Sequence, residues 1–401
     1  MRILFWFLLL AAAAVAVALA LTSKLAAGYA LFVAPPWRIE LSLNFFIVLV
    51  LLLFVGGYAL ARLAHRVVQL PKDVAAYRRR QALERARANQ DAATVALLEG
   101  RFGKARQAAE EALAIPGTPG LPALIAARAA LETRDFDELA RLLATPSAQT
   151  SSLAVPRLML TAEARLEQGR PTEALTTLAA LRKEAGAHTA ALRLELRAMQ
   201  GAGRFAEIPP LVDQLVKRKV YGAAEGEHLR AAAHAEELAA LANSTAGLRG
   251  YWNNLSDAEK RMPKVAAAAA KSFMTLGGDR EAADILAKSL EREWNSALVV
   301  LYAQCRTADP TRQLGEAERW LTHHNQDPAL LYALGLLCQR EKLWGKAQTY
   351  LEASLALDDD YRTHVALGEL FARLGRNDDA NAHLAAALKL ALAELGGAEL
   401  R

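Results

Sequence analysis

Cysteine is nearly missing from this chain: Cys305 and Cys338 are the only two in 401 residues. Standing 33 positions apart, they give neither a disulfide framework nor a CxxC metal or redox pair. Their spacing is about one repeat of the pattern described below, which suits small buried residues in adjacent helices. Aromatic residues make up 6% and β-branched residues are sparse, so almost no strand is expected. Motifs of catalysis are also lacking. There is no GxSxG elbow, no GxxxxGK[ST] phosphate loop and no HExxH, and the only GxG, Gly201-Ala202-Gly203, sits at a helix turn rather than after a strand. That excludes flavin and nicotinamide sites, and the lack of CxxCH excludes a covalent haem. The chain reads as a non-enzyme with no catalytic residues, no required cofactor and no metal ligands. His323-His324 is read instead as a helix end, where imidazoles suit the dipole.

What is present is apolar and helical. The chain is 53% hydrophobic, and alanine, leucine, glutamate and arginine dominate, the mix of helices packed through small side chains. An all-α fold is expected. The net charge of +5 is uneven. Arg62, Arg66, Lys72, Arg78, Arg79, Arg80, Arg85 and Arg87 face only Asp73 and Glu84, a local +6 that leaves −1 for the remainder. Nucleic-acid binding would need basic residues spread over a folded face, so no nucleic-acid partner is expected.

Residues 3–21 and 41–61 contain no charged residue, and each run reaches the roughly 20 apolar residues that span a bilayer. Arg2 and Ala18-Leu19-Ala20 also resemble a cleavable signal, but the first run exceeds the usual signal core of about 7–15 residues, so it is read as an anchor. A helical hairpin with a short periplasmic loop is thus expected over 1–61. The loop from Thr22 to Glu40 holds only Lys24 and Arg38 as basic residues, whereas the second flank is strongly basic. The positive-inside rule then puts both termini and everything after Arg62 in the cytoplasm of a two-pass inner-membrane protein. Pro35, Pro36 and Trp37 form a turn with an interfacial aromatic. Arg78, Arg79 and Arg80, on a basic juxtamembrane helix over 62–90, are candidate contacts for anionic headgroups, about 1 kcal/mol per charge; a topology signal with nothing further to do is the alternative.

The soluble part repeats. A turn residue precedes a small or apolar helix-opening residue by five positions at Gly100–Ala105, Arg134–Leu139, Gly169–Ala174 and Gly203–Ile208, with turn residues 34, 35 and 34 apart. A second set reads Gly278–Ala283, Leu314–Ala317, Leu343–Ala347 and Gly375–Ala380, with alanines 34, 30 and 33 apart. A period near 34 with two helices per unit is that of tetratricopeptide repeats, so an α-solenoid is expected, with arrays over 91–208 and 263–395. In the last two units Leu334-Gly335 and Leu367-Gly368 supply the close-approach glycine, Ala347 and Ala380 the small contact, and Leu351 and Leu384 the filler one turn later. Between the arrays, 209–262 reads as a degenerate helical bridge. There Pro209-Pro210 is taken to break a helix, Gly247–Leu255 to be a loop, and Ser256–Glu259 to restart a helix with a capping box. Tyr251 and Trp252 are either an exposed contact segment or a plug in the seam.

Such arrays bind along their first helices. With Pro328 and Tyr361 as repeat starts, the groove positions of the last two units are Tyr332, Gln339, Arg340, Arg362, Glu369 and Arg373. Three arginines suggest an acidic peptide or the carboxylates of a partner or ligand; a merely solvated face is the alternative.

The combination of an N-terminal membrane hairpin, the basic flank Tyr77–Arg80, helical repeats, the Gly247–Trp252 stretch GLRGYW and paired C-terminal repeats around Trp344–Ala347 resembles the HemY-type proteins of proteobacteria. That resemblance implies an inner-membrane protein acting around late haem (porphyrin) biosynthesis, as a scaffold or regulator of the pathway's enzymes. It carries over no catalytic residues. The flavin-dependent porphyrinogen oxidases that share the HemY name need a dinucleotide-binding fold, which is missing. Two alternatives stay open: a general repeat adaptor for envelope assembly or membrane-protein quality control, and a tetrapyrrole-binding carrier whose groove arginines meet propionates.

Overall fold

The computed structural model describes residues 29–398, which divide into two compact units between Ala129 and Ala130. The first apolar run, 3–21, lies outside the described residues, as do residues 22–28 and 399–401.

The first unit opens with a departure from the sequence reading. Residues 29–42 are not loop but an antiparallel ribbon, β1 (Tyr29–Ala34) and β2 (Trp37–Ser42), paired from Tyr29↔Ser42 to Ala34↔Trp37 across Pro35-Pro36. The cause is local: Tyr29, Phe32, Val33, Trp37 and Ile39 concentrate strand-favouring side chains in a chain otherwise poor in them. Ser42 then accepts a hydrogen bond from the Phe45 amide (3.3 Å) and caps α1, Leu43–Leu98, a continuous 56-residue helix. The boundaries drawn at 61/62 and 90/91 therefore fall inside one helix. Among the described residues no helix is long and apolar enough to cross a membrane; two side chains of the 41–61 run, those of Asn44 and Ile47, lie outside those described. α2 (Phe102–Leu113) folds back on α1, and Ala96, Ala105 and Ala129 meet in a small core with Leu97 and Phe102. Ala129 belongs to α3, Leu121–Glu132.

The second unit is built of helices that pack on their neighbours in chain order. They are α4 (Phe136–Leu143), α5 (Ala154–Glu167), α6 (Pro171–Ala185), α7 (Thr189–Gly201), α8 (Ile208–Lys217), α9 (Ala223–Ala240), α10 (Thr245–Asn254) and α11 (Asp257–Lys260). The C-terminal pairs follow as α12 (Pro263–Thr275), α13 (Asp279–Arg292), α14 (Ser296–Gln304), α15 (Pro310–His324), α16 (Pro328–Arg340), α17 (Trp344–Leu357), α18 (Tyr361–Arg373) and α19 (Asn377–Ala398).

The recurring phrase is a left-handed helix terminus. Gly100, Gly169, Gly203 and Gly375 have φ of 75°, 71°, 69° and 74°, and Arg134 and Lys342 adopt 57° and 60°. The next amide in each case reaches back to close the helix end, as in Arg170 N to Arg165 O (2.8 Å) and Arg376 N to Phe371 O (2.9 Å). The same geometry corrects the register of one phrase. Gly277, not Gly278, takes the positive φ, so Ala282 rather than Ala283 occupies the small-residue position. At Leu314–Ala317 no such turn exists: α15 starts at Pro310, and Gln313 holds the equivalent fourth position, buried.

Two further readings are overturned in the 209–262 segment. Pro209-Pro210 does not break a helix but opens α8, where the missing N–H would have no partner in any case. Gly247–Leu255 is not a loop, because Ser244 accepts from the Gly247 amide (3.2 Å) and starts α10. The capping box at Ser256 and Glu259 is present as expected. The segment is helical throughout, and α9 packs directly on both α8 and α12.

Glycine at the helix crossings does what its position requires. A Cβ on Gly335 would lie 2.5 Å from Leu351 Cγ, and one on Gly368 2.8 Å from Leu384 Cγ. Gly335→Ala is therefore expected to lower stability by about 1–3 kcal/mol through overpacking, and Gly368→Ala by less, since Leu384 is half-exposed and can yield. Gly345→Ala, with open space around the position, serves as the neutral control. Denaturant unfolding of the three purified full-length variants checks the order.

Candidate functional site

Each second-to-first helix turn in the C-terminal pairs carries a short polar cap: Asn295, Asp327 and Asp360 precede α14, α16 and α18. Asp327 does more than cap. Its Oδ1 accepts from the amides of Ala329 (2.8 Å) and Leu330 (3.3 Å), while Oδ2 accepts from Trp294 Nε1 and Ser296 Oγ, both at 2.7 Å. Trp294 is thereby fixed, with His324 stacked on it at 3.6 Å and Trp320 edge-on at 5.8 Å. Trp294, Ser296, His324 and Asp327 line a cavity of about 680 Å³ together with Tyr332, Ser354, Asp360, Arg362 and Thr363. Burial pushes the Asp327 carboxyl up, but the donors from Ser296, Trp294 and the two amides outweigh it and hold it below the usual range. Asp360 is held low in the same way, against burial, by Arg362. Burial raises the Tyr332 phenol.

A second cleft of about 610 Å³ lies along α10, α12 and α13. Trp252 faces it beneath Lys260, whose Nζ is 6.0 Å from the ring, and Arg249 pairs there with Glu281. Tyr251 faces the other way. Its hydroxyl meets Nδ1 of buried His234 at 2.8 Å, and burial with Glu237 and Glu259 pushes the phenol up to about 12. His234 Nε2 has no hydrogen bond, although Glu259 Oε1 lies 3.4 Å away. Of the two aromatics in the GLRGYW stretch, one therefore fastens α10 to α9 and the other lines a cleft.

The six groove positions have different fates. Tyr332 and Arg362 line the first cavity, and Arg362 is bound to Asp360 (Nε to Oδ2, 2.8 Å). Gln339 is buried and donates to the Ala366 carbonyl (2.8 Å), so it faces the next helix rather than a groove. Arg340 is half-buried and donates to the carbonyls of Cys305 and Ala303, both at 2.6 Å. It is committed to the frayed end of α14 and does not present a cation to a ligand. Glu369 and Arg373 are exposed. Arg78, Arg79 and Arg80 are exposed on α1. Cys305 and Cys338 are buried, and burial pushes their thiols up to about 12 and 11. His323 and His324 end α15 as expected. Among the described residues no group of three His, Cys, Asp or Glu side chains is gathered to hold a metal ion.

The sequence reading missed Trp294, Asp327 and Asp360. The spacing of Asn295, Asp327 and Asp360, 32 and 33 residues, was a signal that could have found the caps; Trp294 had none, because its role depends on a carboxylate 33 residues away.

Two predictions follow from these contacts. Arg340→Ala strips the Ala303 carbonyl of its side-chain donor and leaves Cys305 O with Gln313 alone, and is expected to cost on the order of 2 kcal/mol, whereas Arg373→Ala leaves the unfolding midpoint unchanged; denaturant unfolding separates them. The second concerns pH. Burial sets the imidazoles of His234 and His383 below their ordinary 6.5; Asp327, Asp360 and Glu259 also lie below their unfolded values. Every one of these groups binds a proton more readily when unfolded, so stability is full above about pH 7, begins to fall near 6.5 and falls again below about 4. Glu195, raised by burial, opposes this weakly near its ordinary 4.5. Thermal unfolding across pH 3–8 reads the profile, and Asp327→Asn should flatten its acid limb.

Residues 28–134 match the family described as HemY protein N-terminus. No curated protein matches the chain. Among solved structures, the assembly titled APC/C hetero-tetramer Cut9-Hcn1 is 16% identical over 76% of this chain and 66% of its own, just under two thirds, with a TM-score of 0.31. A MamA structure from MSR-1 is 13% identical over 41% of this chain and 99% of its own, TM-score 0.29. Another MamA structure is 13% identical over 50% and 96%, TM-score 0.28.

Proposed function

We propose that this chain, whose residues 28–134 are of the HemY N-terminal type, is a membrane-anchored, non-enzymatic scaffold or regulator of late haem (porphyrin) biosynthesis. The single observation that carries the pathway is the family match, and the helix-pair repeats supply the means: stacked pairs offer extended surfaces for other proteins. The first cavity and the Trp252 cleft are the places where a partner enzyme would dock, each combining an aromatic wall with charged groups that give direction.

The anchor is part of the same proposal. The uncharged run 41–61 enters a bilayer with Arg62 at the inner surface, and the repeats stand in the cytoplasm. Its support is the bareness of the early turns of α1, where Phe45, Leu52, Leu53 and Phe54 are at least half-exposed on all sides of the helix. On an upright α1, Arg78–Arg80 stand 17 or more residues past Ala61, about 25 Å at 1.5 Å per residue. That exceeds the Debye length of about 8 Å, so they act as a topology signal and not as headgroup contacts.

The test is the porphyrin and haem profile of cells lacking the gene, with and without the full-length protein restored. Accumulation of a late intermediate, reversed on restoration, is expected; an unchanged profile removes the pathway and leaves a general membrane adaptor.

A further inference from the structure

The ribbon at residues 29–42 places both of its charged side chains on one face. The register pairs Phe32 with Ile39, Ala34 with Trp37 and Ala30 with Leu41, so Phe32, Trp37, Ile39 and Leu41 share one face. Arg38 and Glu40 stand on the other, opposite Val33 and Leu31 and together with Tyr29, all three exposed, so what sets the two faces apart is the pair of charges. The first face carries no charge, yet Phe32, Trp37 and Ile39 are 50%, 74% and 53% exposed. A lone two-stranded ribbon with a bare apolar face is marginal in water. This one is joined to more of the same surface: the Phe32 ring lies 5.3 Å from that of Phe46 on α1, and from there exposed apolar side chains run round the helix at Phe45, Val50, Leu52 and Phe54. A protein partner covers one side of a helix. A surface bare all round and continuous with the ribbon calls for a solvent that surrounds it, and the solvent that fits is lipid.

We propose that the ribbon is a membrane-interface element, its Phe32, Trp37, Ile39 and Leu41 face set into the headgroup–acyl boundary and its Arg38 and Glu40 face turned to water. Trp37, at the turn, is the aromatic suited to that depth. This rests on the anchored reading of α1 and replaces the simple connecting loop expected from sequence with a second, face-on hold on the bilayer.

The experiment places single cysteines for an environment-sensitive fluorophore in the full-length protein, whose own Cys305 and Cys338 are buried, reconstituted in phosphatidylcholine–phosphatidylglycerol vesicles. Phe32→Cys, Ile39→Cys and Leu41→Cys should be quenched by lipid-borne quencher, and Leu31→Cys, Arg38→Cys and Glu40→Cys by aqueous quencher, a period of two along each strand. Labels at Leu49→Cys and Leu53→Cys report the anchor separately. Aqueous quenching on both ribbon faces with lipid quenching at 49 and 53 overturns the ribbon proposal and keeps the anchor, while aqueous quenching at all eight removes both. Lipid quenching on both faces, or label-to-label coupling between two copies at 39, also overturns it.

Discussion

A pair of helices cannot bury its apolar faces alone, and everything in the second unit depends on neighbours approaching closely enough to cover them. The approach is set at one repeated position, four residues into a second helix, where Ala174, Ala282 and Ala347 are fully or almost fully buried. Where the opposing residue must vanish altogether it is Gly335, against which Leu351 is packed with no exposure. The last pair displays the same constraint from its other side. Leu384 is the counterpart of Leu351, 33 residues on, but α19 has no successor among the described residues and Leu384 is 41% exposed. The difference between these two leucines is the contribution of one covering helix.

Close stacking leaves main-chain groups to be satisfied at each helix end, and this governs which polar side chains remain for binding. α14 stops at Gln304, and its terminal carbonyls are taken up by Arg340 and by buried Gln313, whose amide donates to Tyr302 O (2.7 Å) and Cys305 O (3.2 Å). Leaving such carbonyls bare would cost about 1–3 kcal/mol each, so Arg340, which looks like a ligand-binding group in the sequence, is held by the fold. At the opposite helix ends the economy reverses. Asp327 satisfies two amides with one oxygen and still orients Trp294 with the other, so a cap becomes part of a cavity wall.

The turn phrases were legible because a left-handed terminus needs a particular backbone, and glycine supplies it at little steric cost. Legibility failed where that link was loose. In Gly277-Gly278 either residue could take the turn, and the choice of the first moved the register by one; at α15 a glutamine replaced the small residue because it had carbonyls of α14 to serve. The fates of Gln339 and Arg340 were hidden for a related reason: their partners lie 27 to 37 residues away, beyond any periodic pattern. The ribbon was hidden by averaging, since a composition poor in strand formers says nothing of fourteen residues rich in them.

In the first unit the same preference for continuous helix has a mechanical result. From Arg62 to Leu98 the chain is one helix, 37 residues or about 55 Å at 1.5 Å per residue, whereas a flexible linker of that length would have a mean span of about 35 Å and no fixed direction. If the apolar start of the helix lies in lipid, the helix sets both the height of α2 above the bilayer and the face it turns there. On the proposed reading of an anchored scaffold, a partner in or on the same membrane would meet the helix pair only at the level where the strut holds it, so height would add to chemistry in its selection.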